Sequence, residues 1–112
     1  MDAAKRDALG RAKTRLDALD LYPRPVSLRG VGIWIVPWLF RAPWFRRFDG
    51  YALHRTILLR SRAHLADPGL VAHELCHVWQ MQHRPLRMPL SYVVRGYAAN
   101  PYEAEARRAA EP

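Results

Sequence analysis

The sequence predicts an α+β fold in one domain spanning residues 1–112. Three observations carry that expectation. Apolar side chains recur at helical spacing near the N-terminus, β-branched runs bounded by glycine fill the middle, and two later segments open on a capping residue followed by proline. The chain is long enough for one modest core, and it shows no internal repeat or low-complexity linker.

Asp2 to Asp20 reads as a helix, with Leu9, Ala12, Leu16 and Leu19 on one stripe and charges elsewhere. Its scattered acidic residues and lack of a continuous apolar stretch argue against a secretory leader. No segment approaches the roughly 20 apolar residues of a membrane span. Residues 26–36 read as one or two strands, with Gly30 and Gly32 allowing a bend or bulge. Gly50 to Arg60 reads as a further strand, bounded by Asp49-Gly50 and by Ser61 onward. Asp67-Pro68 then supplies an N-cap and a first-turn proline, and no further breaker follows before Arg84-Pro85. Asn100-Pro101 repeats that signal and starts a second helix reaching to about Ala110.

The first of these two helices carries His73-Glu74-Leu75-Cys76-His77, an HExxH pentapeptide. Two histidines four apart on a helix project from one face, at a separation that lets both imidazoles hold one metal ion. Glu74 lies beside that face, where it can take a proton from water activated by the metal. Leu70, Ala72, Leu75, Cys76, Val78 and Trp79 give the helix enough apolar surface to be mostly buried. Two histidines and a glutamate on such a helix need partners, and a metal satisfies all three. Chance occurrence, or histidines hydrogen-bonded in a core, also fits the pentapeptide, so a third ligand is needed.

Two segments offer one. His83 follows His77 at the HExxHxxGxxH spacing of metzincins, but Gln80 stands where that pattern has a helix-breaking glycine. On a continuing helix His83 points about 240° away from His77, which fits a partly exposed histidine near a helix C-terminus better. Met88, before Pro89, is a weak candidate for the accompanying methionine turn. The other segment is Asn100-Pro101-Tyr102-Glu103-Ala104-Glu105-Ala106. Glu103 falls in the first turn of its helix, where it suits either a metal ligand or a capping box closing on the Asn100 N–H. With HExxH upstream the ligand reading is preferred, and Glu105 is the alternative.

HELCHVWQ followed by NPYEAEA resembles the small bacterial and archaeal gluzincin-type zinc metallopeptidases, including the single-domain minigluzincins. The resemblance covers residues 50–110. It implies a backing helix, a short twisted sheet, an active-site helix and a glutamate-bearing helix. It also implies zinc held by His73, His77 and Glu103, Glu74 as general base, and a peptide or protein substrate cleaved by a metal-activated water. In such proteins a strand preceding the active-site helix forms a rim along which substrate pairs, and Thr56 to Arg60 is the candidate; an interior strand fits those residues equally. Arg107 departs from the family, several of whose members place Asp or Asn there to orient a histidine. Tyr97, Tyr102 and Tyr92 are the candidates for an oxyanion donor, with Tyr97 put first.

The charge is a separate signal. The formal net charge is +8, with sixteen arginines against two lysines. Between Leu21 and Ala66 there are eight arginines and one acid, Asp49. Trp34, Trp38, Phe40, Trp44, Phe45 and Phe48 interleave there with Arg41, Arg46 and Arg47. A long loop with its aromatics in the core and its arginines in water accounts for this pattern. A rival class is a non-catalytic basic module whose segment 31–48 binds an anionic membrane surface or nucleic acid, with HExxH a structural zinc site. Cys76 is alone and reads as a small buried apolar side chain. Cytoplasmic residence and a monomeric chain are the remaining expectations.

Overall fold

Asp2 starts the first helix by accepting from the Lys5 backbone N–H at 3.0 Å, a partner for one of the donors every helix start leaves free. In the computed structural model, which describes residues 2–85, 87–97 and 100–111, α1 runs Ala3–Leu19 and buries Ala8, Leu9, Ala12 and Leu16. Leu19, expected on the same stripe, is half-buried at the rim of the core. Asp20 closes the helix in the left-handed conformation.

The three strands are β1 (Gly32–Ile35), β2 (Gly50–Leu53) and β3 (Thr56–Leu59), in the order β1-β3-β2. β1 runs parallel to β3 with Ile33 opposite Ile57, and β2 runs antiparallel to β3 with Gly50 opposite Leu59. Ile33, Ile57 and Leu59 turn into the core with the apolar stripes of the helices. Of residues 26–36 only the last part is strand: the chain turns through Gly30, with Val31 N–H bonded to the Leu28 carbonyl at 3.1 Å. Residues 50–60, expected as one strand, are a hairpin. His54-Arg55 is a two-residue turn with His54 at a φ of 57°, a conformation histidine tolerates better than most residues. Thr56 to Arg60 therefore does not supply the rim. β3 is the central strand, bonded on both sides, and the edge falls to β2.

Residues 37–48 fold into successive turns, including a 3-10 turn at Leu39–Arg41. Phe40 is fully buried there, edge-on to Phe45 at 6.0 Å, while Phe45 and Phe48 pack on Tyr51 at 5.2 and 5.8 Å. The expectation that this segment's aromatics fill the core holds for Phe40 alone. Phe45 and Phe48 are half-buried, and Trp34, Trp38 and Trp44 stand in solvent.

Helix α2 (Pro68–His83) begins as its sequence demands: Asp67 accepts from the Leu70 N–H at 3.1 Å and Pro68 occupies the first turn. It crosses the centre of the domain and buries Val71, Ala72, Leu75, Cys76, Val78 and Trp79. The Trp79 indole donates to the Arg24 carbonyl at 2.8 Å. Helix α3 (Arg87–Arg95) lies where the sequence reading placed no element; Pro89 sits in its first turn, where a missing N–H loses no helical bond. Helix α4 (Pro101–Ala110) is capped by Asn100, which accepts from the Tyr102 N–H at 2.9 Å. α4 lies against α2, and its last turn comes so close that a β-carbon at Gly69 would stand 2.9 Å from the Ala110 carbonyl oxygen. Arg15 of α1 donates to that carbonyl at 3.2 Å, joining the first and last helices. Among the described residues no helix is long and apolar enough to cross a membrane.

Substituting Gly69→Ala should lower stability by about 1–3 kcal/mol in denaturant unfolding, because backbone, not a flexible side chain, must give way. Gly10→Ala on exposed α1, with nothing near the added carbon, should raise it by about 0.5–1 kcal/mol. Equal effects at the two positions would contradict the α2–α4 approach.

Candidate metal centre

The helical spacing of His73 and His77 brings their rings to 5.0 Å between centroids, at 76° to one another, on the side of α2 that meets α4. Glu103 reaches them from the first turn of α4. Its Oε1 lies 2.7 Å from His73 Nε2, and its Oε2 lies 3.2 Å from His77 Nε2. The Tyr92 hydroxyl of α3 donates to Oε2 at 2.8 Å. No capping box forms, since the Asn100 N–H bonds the Tyr97 carbonyl at 3.3 Å instead. Glu103 is 1% exposed. Burial alone would raise its carboxyl pKa, but hydrogen bonds with His73, His77 and Tyr92 outweigh burial and hold it well below the carboxylate range. For His77 burial works toward neutrality, and the Glu103 hydrogen bond with the charges of Glu74 and Glu103 leaves its pKa raised.

The outer nitrogen of His77 is also held. Nδ1 lies 2.9 Å from Gln80 Oε1. The Gln80 amide donates to the Tyr102 carbonyl at 2.7 Å and to Glu105 Oε1 at 3.0 Å, and the Tyr22 hydroxyl donates to the same Glu105 oxygen at 2.7 Å. This run of hydrogen bonds ties the outer nitrogen of His77 to α4 and to Tyr22. Glu105, the alternative ligand, belongs to it and does not face the two imidazoles. Gln80 was not singled out from the sequence; an amide one turn beyond His77 on a mostly buried helix was the available signal.

Glu74 lies on the wall of a cleft of about 520 Å³ that also receives His77 and Glu103. It is almost fully buried, and burial raises its carboxyl pKa against the opposing pull of His77 and His73. It fits because β2 carries glycine opposite it. A β-carbon at Gly50 would sit 3.2 Å from Glu74 Oε2. Tyr92 donates to Glu103 and lines this cleft, Tyr97 lines it too, and Tyr102 lines a different one. Burial and the Glu103 carboxylate raise the Tyr97 pKa, so its phenol keeps its proton.

His83 is not brought to the site. It lies against Tyr22 with ring centroids 5.0 Å apart, and its Nε2 is 3.2 Å from the Arg24 carbonyl oxygen, because α2 continues unbroken through Gln80. Met88 lines the cleft from the first turn of α3. Cys76 is fully buried, and burial pushes its thiol up to about 12, which suits packing.

His73, His77 and Glu103 form a group that could hold a metal ion, their donor atoms all within 4.8 Å of one another. Tetrahedral zinc with ligand bonds of about 2.0–2.1 Å sets its donors roughly 3.3 Å apart. Glu103 Oε2 and His77 Nε2 at 3.2 Å match that spacing, while Oε1 and His73 Nε2 at 2.7 Å are in direct hydrogen-bond contact and would part slightly to admit an ion. Comparison with protein-family models, curated proteins and solved structures gave no match.

Zinc measured per chain should be near one in the wild type and in His83→Ala, and close to zero in His77→Ala and Glu103→Ala. Gln80→Leu, which strips Nδ1 of its partner, should weaken zinc about 10–100-fold; an unchanged affinity would remove Gln80 from the site. A metal ion held there would also have to displace any proton on His77. Because that pKa is raised above the usual imidazole value, affinity for the ion should fall as pH drops toward that usual value, while Glu103, held ionised, adds no dependence there. A flat titration over that range would contradict the assignment.

Proposed function

We propose that the chain is a zinc-dependent hydrolase that cleaves peptide bonds. The observation that carries this reading is the Glu103 carboxylate facing both HExxH imidazoles, with Glu74 on the wall of the same open cleft. A purely structural zinc site closes its coordination with four protein groups, whereas three groups beside a cleft leave a position for water. Zinc bound there supplies Lewis-acid activation of that water near neutral pH.

The remaining work falls to the chain's own residues. Glu74 takes the proton from the attacking water and passes it to the leaving amine nitrogen, a task helped by a carboxyl pKa raised toward neutrality. Tyr97 keeps its phenolic proton and donates it in a hydrogen bond to the carbonyl oxygen as charge develops there. β2 lines the cleft and is bonded to the sheet on one side only, so an extended peptide can pair along its other edge. Gln80 holds His77 in one orientation throughout.

Glu74→Gln should keep its zinc and lose about 10²–10⁴-fold in turnover against a mixed peptide pool read by mass spectrometry. Tyr97→Phe should lower kcat by about 10²-fold with little change in KM. A zinc-loaded wild type that cleaves none of the pool, or a Glu74→Gln variant as active as wild type, would sink the reading.

A further inference from the structure

Three of the four tryptophans are left in water. Trp34 is 63% exposed, Trp38 68% and Trp44 76%, although a tryptophan gains more from burial than almost any other side chain. The same segment tucks Phe40 away completely and half-buries Phe45 and Phe48. The rings it leaves outside are those with both an apolar body and an indole N–H, the combination that favours the headgroup level of a bilayer.

The charge around them has one sign. Arg41, Arg46 and Arg47 are exposed in this segment, and no acid occurs between Val31 and Phe48. The next acid, Asp49, is engaged by Arg60 at 3.3 Å. Arg47 is fixed over the rings of Phe48 and Tyr97 at 4.8 and 5.6 Å, which places a guanidinium on the wall of the metal-site cleft. Trp44 lines that wall too.

We propose that this tryptophan and arginine surface docks on an anionic lipid bilayer, with the cleft opening beside the contact. Electrostatic complementarity selects anionic over neutral lipid. The aliphatic neighbours select lipid over single-stranded nucleic acid. Leu53, on the hairpin rim of the cleft, is exposed, as is Val93 on α3, the helix that contributes Met88, Pro89 and Tyr92 to its other wall. Bases stack on aromatic rings and find no comparable partner in leucine or valine, whereas an acyl boundary receives all of them.

The test is co-sedimentation of the full chain with vesicles of phosphatidylcholine alone and of equal phosphatidylcholine and phosphatidylglycerol, with tryptophan emission recorded in parallel. The anionic vesicles should bind about tenfold or more tightly, shift the emission to the blue, and release protein as salt rises. The triple variant Trp34→Ser, Trp38→Ser, Trp44→Ser should lose about tenfold in binding while keeping its far-ultraviolet circular dichroism, since the three side chains are exposed. Absence of vesicle binding would overturn the proposal. So would binding that the triple variant retains, which would reduce it to net charge, or binding to a single-stranded oligonucleotide in place of vesicles. None of these readings depends on zinc, so they stand apart from the outcome for the hydrolase.

Discussion

A carboxylate almost without access to water sits between two imidazoles, and the arrangement of the helices follows from its needs. An isolated buried carboxylate would cost on the order of several kcal/mol. Glu103 avoids that through His73, His77 and Tyr92, one helix supplying the first two and a second helix the third. α4 must therefore lie close on α2, and the glycine at position 69 permits it. α3 must present Tyr92 inward, and the Asn100 side-chain amide donating to the Ser91 hydroxyl at 3.0 Å holds α3 to the start of α4. Among the described residues no fully buried side-chain nitrogen or oxygen lacks a partner. The polar centre is satisfied as a network, and removing any one member exposes the others to the same penalty.

The two carboxylates of the centre are driven in opposite directions by their surroundings. Glu103 is surrounded by donors and stays ionised, suited to holding a cation. Glu74, a short distance away on the cleft wall, is dominated by desolvation and holds its proton more readily. One group is fitted for permanent charge and the other for exchanging a proton, and burial is common to both. The difference lies in how many hydrogen-bond donors each one meets.

Much of this was legible in the chain. The N-terminal helix, α2 and α4 all announced themselves through Asp or Asn caps, first-turn prolines and apolar stripes, which are local signals. His73 and His77 followed from motif spacing and Glu103 from the resemblance of its segment, and the structure brings all three together. What escaped the reading depends on information that is not local. His54-Arg55 lacks the glycine or asparagine that marks a hairpin turn, so two strands read as one, and of the two readings left open for Thr56 to Arg60 the pairing selects the interior one. Pro85 read as a breaker and no element was placed beyond it before Asn100, although Pro89 falls where a helix start tolerates proline. Which aromatics enter the core could not be told from composition. Phe40 and Trp38 are equally apolar in a pattern, and only the turns around them decide which is enclosed. Gln80 was passed over because its importance lies in what it reaches, the Tyr102 carbonyl and Glu105, on a helix far along the chain.

That reach has a consequence for how the protein comes into being. The relay from His77 through Gln80 and Glu105 ends at Tyr22, and Arg15 grips the last turn of α4. Early and late segments of the chain must have met before the ion-holding geometry exists. A polypeptide still emerging from the ribosome carries two imidazoles on α2 without the carboxylate that completes them. A chain that stops short of α4 therefore lacks one of the three groups that together could hold an ion.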